Sequence, residues 1–124
     1  MIKLAFYGKG GIGKSTAASN VSVALAQKGL EVMQIGCDPK ADSTINLLGG
    51  EPVMPVMSYL REHDDEPESI EEISKEGYGG VLCIETGGPT PGLGCAGRGI
   101  IAALEELEKK GAYEKYQPDV VIYD

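Results

Sequence analysis

The sequence has no apolar run long enough to cross a bilayer. Its opening stretch, MIKLAFYGKGG, holds only four apolar residues in a row, with no small-residue cleavage pattern behind them. It therefore does not read as a signal peptide, and no membrane association is expected. Cysteine is scarce: Cys37, Cys83 and Cys95 are odd in number, far apart and form no C-x-x-C. That pattern argues against a disulfide framework and for a reducing, cytoplasmic setting, where a thiol is a packing group or a metal ligand. Positive charge is also short, with 11 Lys and Arg against 19 Asp and Glu and a net charge of −8. A general electrostatic grip on nucleic acid or anionic lipid is excluded, so any anion must be held by a local arrangement of donors. The single histidine, His63, has no partner pattern and reads as a surface residue. Repeats, linkers and low-complexity tracts are missing, and 124 residues suffice for one domain with a core but not for two.

What is present is an ordinary share of hydrophobic residues, 42%, and 18 glycines gathered mostly in two loops. IKLAFY, residues 2–7, reads as a short buried strand running into the first of these loops. STAASNVSVALAQK, 15–28, is helix-like, with Ala17, Val21, Ala24 and Leu25 at three- and four-residue spacing and Gly29 placed as a left-handed cap. LEVMQIG, 30–36, is a second strand that delivers CDPKADS into a loop. In the more polar middle, PVMSYLREH suggests a short helix, and the acidic run DDEPES caps another over IEEISKE. GVLCIET, 80–86, reads as a third strand. RGIIAALEELEKKG is a helix with Ile100, Ile101, Leu104 and Leu107 on one face, i,i+4 pairs at Glu105–Lys109 and Glu106–Lys110, and Gly111 as its stop. The chain closes on the apolar run DVVIYD. Strand, loop, helix and strand in this order predict an α/β protein with a parallel sheet flanked by helices.

Gly8-Lys9-Gly10-Gly11-Ile12-Gly13-Lys14-Ser15 satisfies G-x-x-x-x-G-K-[ST] between a strand and a helix. Glycines let successive backbone N–H groups converge on phosphate oxygens, and the following helix adds the positive end of its dipole. Lys14 adds a full charge near the β- and γ-phosphates, Ser15 offers a hydroxyl to Mg²⁺, and Thr16 completes the loop. These features predict a P-loop NTPase binding ATP and Mg²⁺. Lys9 points away from its own subunit's phosphates and reads as reaching a nucleotide on a facing subunit, as an arginine finger does. Asp124, at the carboxyl end of a strand, has the form of the residue that holds the Mg²⁺ hydration shell through water. Asp38 and Asp42 leave the second strand toward the same crevice and are candidates for positioning water and sensing the γ-phosphate, with a plain turn as the alternative. The second glycine-rich loop, GPTPGLGCAGRG at 88–99, surrounds Cys95 just before a helix. The helix dipole and loop N–H groups there favour a thiolate or an anionic cluster, while a buried structural thiol stays open on these residues alone.

Together GKGGIGKST, GCDPKADST, GYGGVLCIETGGPTPGLGCAGRG and GAYEKYQPDVVIYD resemble the nitrogenase iron protein family, in order and over almost the whole chain. The iron proteins of dark protochlorophyllide reduction and of nickel tetrapyrrole synthesis are similar, and the first two motifs are shared with ATPases that position or partition. The resemblance implies a homodimer bridged by one [4Fe–4S] cluster, two cysteines from each subunit, with ATP hydrolysis gating one-electron transfer in nitrogen fixation or a related reduction. It implies a ferredoxin or flavodoxin donor and a molybdenum–iron-type or nitrogenase-like catalytic partner. Cys95 is then the first cluster ligand, and Arg98 lies on the docking face, where the matching arginine is ADP-ribosylated in some members. Lys9, Lys14, Asp38, Asp42 and Asp124 take nucleotide and switch roles, and Cys37 and Cys83 match non-ligand cysteines. The second ligand falls in a motif just past Asp124, so residues 1–124 resemble the N-terminal half of a P-loop nucleotide-binding domain, truncated after the strand that ends at Asp124. A non-redox positioning or partitioning ATPase and an ATP-dependent cluster carrier are the alternative readings.

Overall fold

The computed structural model describes residues 1–8, 12–62, 70–88 and 96–124, with backbone alone for 96–100. His63 lies outside the described residues. Five strands form one sheet: β1 (Ile2–Ala5), β2 (Val32–Gly36), β3 (Lys75–Glu76), β4 (Leu82–Glu85) and β5 (Val120–Tyr123), in the order β1-β5-β2-β4-β3. All neighbouring pairs are parallel except β3 with β4. Among the described residues four α-helices accompany them: α1 (Lys14–Gln27), α2 (Val56–Glu62), α3 (Ala96–Lys109) and α4 (Ala112–Tyr116). The predicted parallel α/β sheet with flanking helices is the one observed.

Alternation along the strands divides the buried residues between two faces. Met33, Ile35, Ile84 and Val121 form one core with Val56 of α2, Ala103 and Leu107 of α3 and Ala112 of α4. Val32, Cys83, Val120 and Ile122 form the other, against Ala18 of α1. Gly29 has φ +91°, and its N–H donates to the Ala26 carbonyl, the left-handed cap expected after α1.

Several expectations are corrected. β1 is exposed, with Ile2 at 61% and Leu4 at 38%, because it pairs with β5 alone and forms the sheet edge. The inward side of α1 is Ala18, Ser19 and Ser22, not Ala17 and Ala24, because the sheet presents a glutamine to it. IEEISKE is a 3-10 turn over Ile70–Ile73 followed by β3, since Lys75 and Glu76 pair with β4 instead of continuing a helix. Ile101 faces outward at 59% exposure, and among the described side chains of α3 Ala103, Glu106 and Leu107 are buried. The short α4 was not anticipated, because Gly111, with φ +68°, ends one helix and starts the next.

Candidate nucleotide site

The site lies at the carboxyl ends of β1, β2 and β5. Gly13, with φ +87°, occupies the N-cap position of α1, a left-handed conformation that a side chain would strain. It offers no side-chain cap, so the first N–H groups of α1 stay available to an anion, as a phosphate site requires. Lys14 stands at the first position of α1, and its Nζ donates to Asp124 Oδ1 at 2.5 Å across 110 residues of chain. Ser43, from the loop after β2, donates its hydroxyl to Asp124 Oδ2, also at 2.5 Å. Burial pushes the Asp124 carboxyl up, but hydrogen bonds from Lys14, Ser43 and Ser15 and the Lys14 charge outweigh it and hold the group below the usual carboxylate range. Asp124 is thus ionised at neutral pH.

Ser43 is itself fixed from beneath. Gln34 is fully buried on the α1 face of β2, and its Nε2 donates to Ser43 Oγ at 3.0 Å and to the Ser43 carbonyl at 3.3 Å. Its Oε1 accepts from Ser22 Oγ at 2.7 Å, which explains why α1 turns serines inward. On the other side, Glu85 Oε1 at the end of β4 accepts from the Thr44 N–H at 2.9 Å and the Thr44 hydroxyl at 3.0 Å. Burial is the main cause that pushes the Glu85 carboxyl up to about 7; the Asp42 and Asp124 charges add to it, against the Thr44 hydrogen bonds.

The structure therefore brings Lys14, Ser15 and Asp124 together. Asp38 and Asp42 are both exposed. The Asp38 Oδ1 accepts from the Lys40 N–H at 2.9 Å, an Asx turn, and Ala41 beside Asp42 holds φ +53°. Gly8, Ile12 and Thr16 lie around the start of α1, with Ile12 and Thr16 exposed. Lys9, Gly10, Gly11 and Cys95 lie outside the described residues, as does the side chain of Arg98. Ser43, Gln34 and Glu85 were missed by the sequence reading. Only the polar break in the apolar run VMQIG, at Gln34, signalled any of them.

The donor set fits a nucleotide with Mg²⁺: an available helix start, a lysine, a hydroxyl and an ionised carboxylate meet at one point. Cys37 is half-buried and Cys83 is buried. Burial pushes both thiols up, assisted by the Glu85 charge, that of Cys83 to about 12. Among the described residues no group of three or more His, Cys, Asp or Glu is placed to hold a metal ion, and no helix is long and apolar enough to cross a membrane.

A phosphate loop opening a helix on a parallel sheet, with a strand-end aspartate beside its lysine, defines the P-loop NTPase class. Solved structures agree on the fold: cobyrinic acid a,c-diamide synthase from Mycobacterium smegmatis, with bound ATP analog and magnesium, superposes with a TM-score of 0.67 at 24% identity, over 100% of this chain and 50% of that one. The kinase domain of the Escherichia coli tyrosine kinase ETK does so with a TM-score of 0.65 at 20% identity, over 99% and 45%. The family model for 4Fe-4S iron sulfur cluster binding proteins, NifH/frxC family, matches residues 2–124, and the chain belongs to that family. It is 52% identical to a nitrogenase iron protein of Methanococcus voltae over 124 residues, 100% of this chain and 44% of the relative. A nitrogenase iron protein of Methanospirillum hungatei is 50% identical, again over 100% of this chain and 43% of the relative. The chain thus spans about half the length of the curated relatives it matches.

Proposed function

We propose that these residues form the nucleotide-binding part of an ATP-dependent iron–sulfur reductase of the nitrogenase iron protein type, acting as a homodimer with a nitrogenase or nitrogenase-like catalytic partner. The observation that carries the reading is the cluster of Lys14, Ser15, Ser43 and Asp124, on a sheet whose β4 leads directly into the loop of Cys95. The N–H groups at the start of α1 and the Lys14 ammonium bind the phosphates, the Ser15 hydroxyl binds Mg²⁺, and the Asp124 carboxylate orients its water shell. Lys14 serves the γ-phosphate of the bound nucleotide, and Asp124 beside it serves the metal. Asp38 and Asp42, exposed on the loop that Ser43 anchors, position water and respond to the γ-phosphate, and Lys9 reaches the facing subunit's nucleotide.

Cys95 from each subunit holds one side of a bridging [4Fe–4S] cluster, which supplies one-electron redox chemistry when bound. Arg98, three residues further on, faces the partner. Titrating MgATP onto the complete, anaerobically purified protein while recording its electron paramagnetic resonance spectrum tests this. A reduced-cluster signal that changes on saturation with MgATP, and no change in a Lys14→Ala variant, is expected. An iron-free dimer that hydrolyses ATP would refute the redox reading, and a cluster that passes intact to an apo-protein without electron transfer would replace it with a carrier.

A further inference from the structure

Gly36 at the end of β2 has no side chain, and strands on both sides place a carboxylate next to the gap. Glu85 pairs with Gly36 directly across β2 and β4, and Asp124 follows Tyr123, the partner of Ile35, across β2 and β5. The Glu85 carboxyl fills the space over Gly36 so closely that no Cβ fits there. Glu85 is 1% exposed, and its Oε2 has no hydrogen-bond partner among the described residues. A carboxyl buried at such a cost needs a purpose that packing does not supply.

Its other oxygen holds both the N–H and the hydroxyl of Thr44, which is also buried. Thr44 follows Ser43, the residue that donates to Asp124, and Asp42 precedes it. The exit of β4 rests on the same loop. A Cβ at Gly88 would lie 2.7 Å from Pro39 Cβ, so the two residues are close neighbours. Resting on the nucleotide-site reading above, we infer that Glu85 is a positioning residue: through Thr44 it fixes residues 42–44 at the mouth of the phosphate loop, where they respond to the γ-phosphate. It touches neither phosphate nor Mg²⁺, and it acts only through the loop. The loop matters for a triphosphate and much less for a diphosphate, so the role separates from simple stability.

The test is the affinity of the complete protein for MgATP and for MgADP, measured by calorimetry. Replacing Glu85→Leu removes the acceptor and is expected to weaken MgATP about tenfold and MgADP less than about twofold, the scale of losing hydrogen bonds to a carboxylate. Glu85→Gln keeps an acceptor oxygen for Thr44 and is expected to stay within about twofold for both. Thr44→Val, isosteric and lacking one of the two bonds, falls between and adds little to Glu85→Leu when combined, because the pair acts as a unit. Equal weakening of both nucleotides, unchanged affinities in Glu85→Leu and Thr44→Val, or full additivity would overturn the role. Should Glu85→Leu not fold, the MgATP-selective loss in Thr44→Val decides alone. Wild-type protein that binds neither nucleotide would instead overturn the nucleotide-site reading beneath it.

Discussion

The two faces of the sheet are built on different chemistry. Under α2, α3 and α4 the core is mostly apolar, with Met33, Ile35, Val56, Ile70, Ile73, Ile84 and Leu107, although Glu106 of α3 is buried too. Under α1 the same strands bury Gln34, Glu85 and Asp124, and the helix answers with Ser19 and Ser22. The first face removes apolar area from water and so sets stability. The second spends burial on polar groups that hold one another in fixed positions, which contributes little net stability and much geometry. The proposed nucleotide site lies on this second face.

Substitutions on the two faces should therefore separate stability from nucleotide affinity. The largest effect is expected from Leu107→Ala on the apolar face, a loss of about 2–5 kcal/mol in urea titrations with MgATP affinity of the folded fraction unchanged. A coupled loss of affinity would break the contrast. Next comes the pH dependence of the polar face. The Glu85 carboxyl stands near 7 in the folded protein, above its ordinary 4.5, so the native state holds the extra proton and stability from this group is lost as pH rises from about 4.5 to about 7. Glu85→Gln should remove that slope, gaining up to about 3 kcal/mol on wild type at pH 8 relative to pH 4 in paired urea titrations. Equal slopes in the two proteins would show that Glu85 titrates normally. Asp124 has the opposite sign: held ionised, it contributes stability above its ordinary range that disappears in acid.

Gln34→Leu is expected to cost about 1–3 kcal/mol, since the Ser22 hydroxyl and the Ser43 carbonyl lose their buried partner even though apolar volume is kept. A stabilised variant would mean that the polar face is not specified by this network. The smallest effect is expected from Gly29→Ala, about 1 kcal/mol from the left-handed cap, with neither nucleotide affected.

How much of this the sequence showed follows the same division. The phosphate loop was legible because its spacing is local: Gly13, Lys14 and Ser15 are fixed by one strand end and one helix start. β2, β4 and β5 were legible as apolar runs bounded by turns, and Asp124 by its place at the end of one. The roles of Gln34, Ser43 and Glu85 were not, because each depends on the register of strands far apart in the chain. Glu85 becomes a site residue only when β4 lies opposite Gly36 and the loop after β2 folds back on it. The exposed face of β1 and the outward turn of Ile101 went unread for a related reason, since periodicity reports an apolar stripe but not what covers it. β3 is two residues long, too short for any pattern, and exists by pairing with β4.

Cys95 is proposed to hold iron between two copies of the chain, and the iron content of the complete protein prepared without oxygen tests that directly. About four iron atoms per dimer, lost on Cys95→Ala while MgATP still binds, is the predicted result. A dimer without iron, or a Cys95→Ala protein with its iron intact, would contradict it.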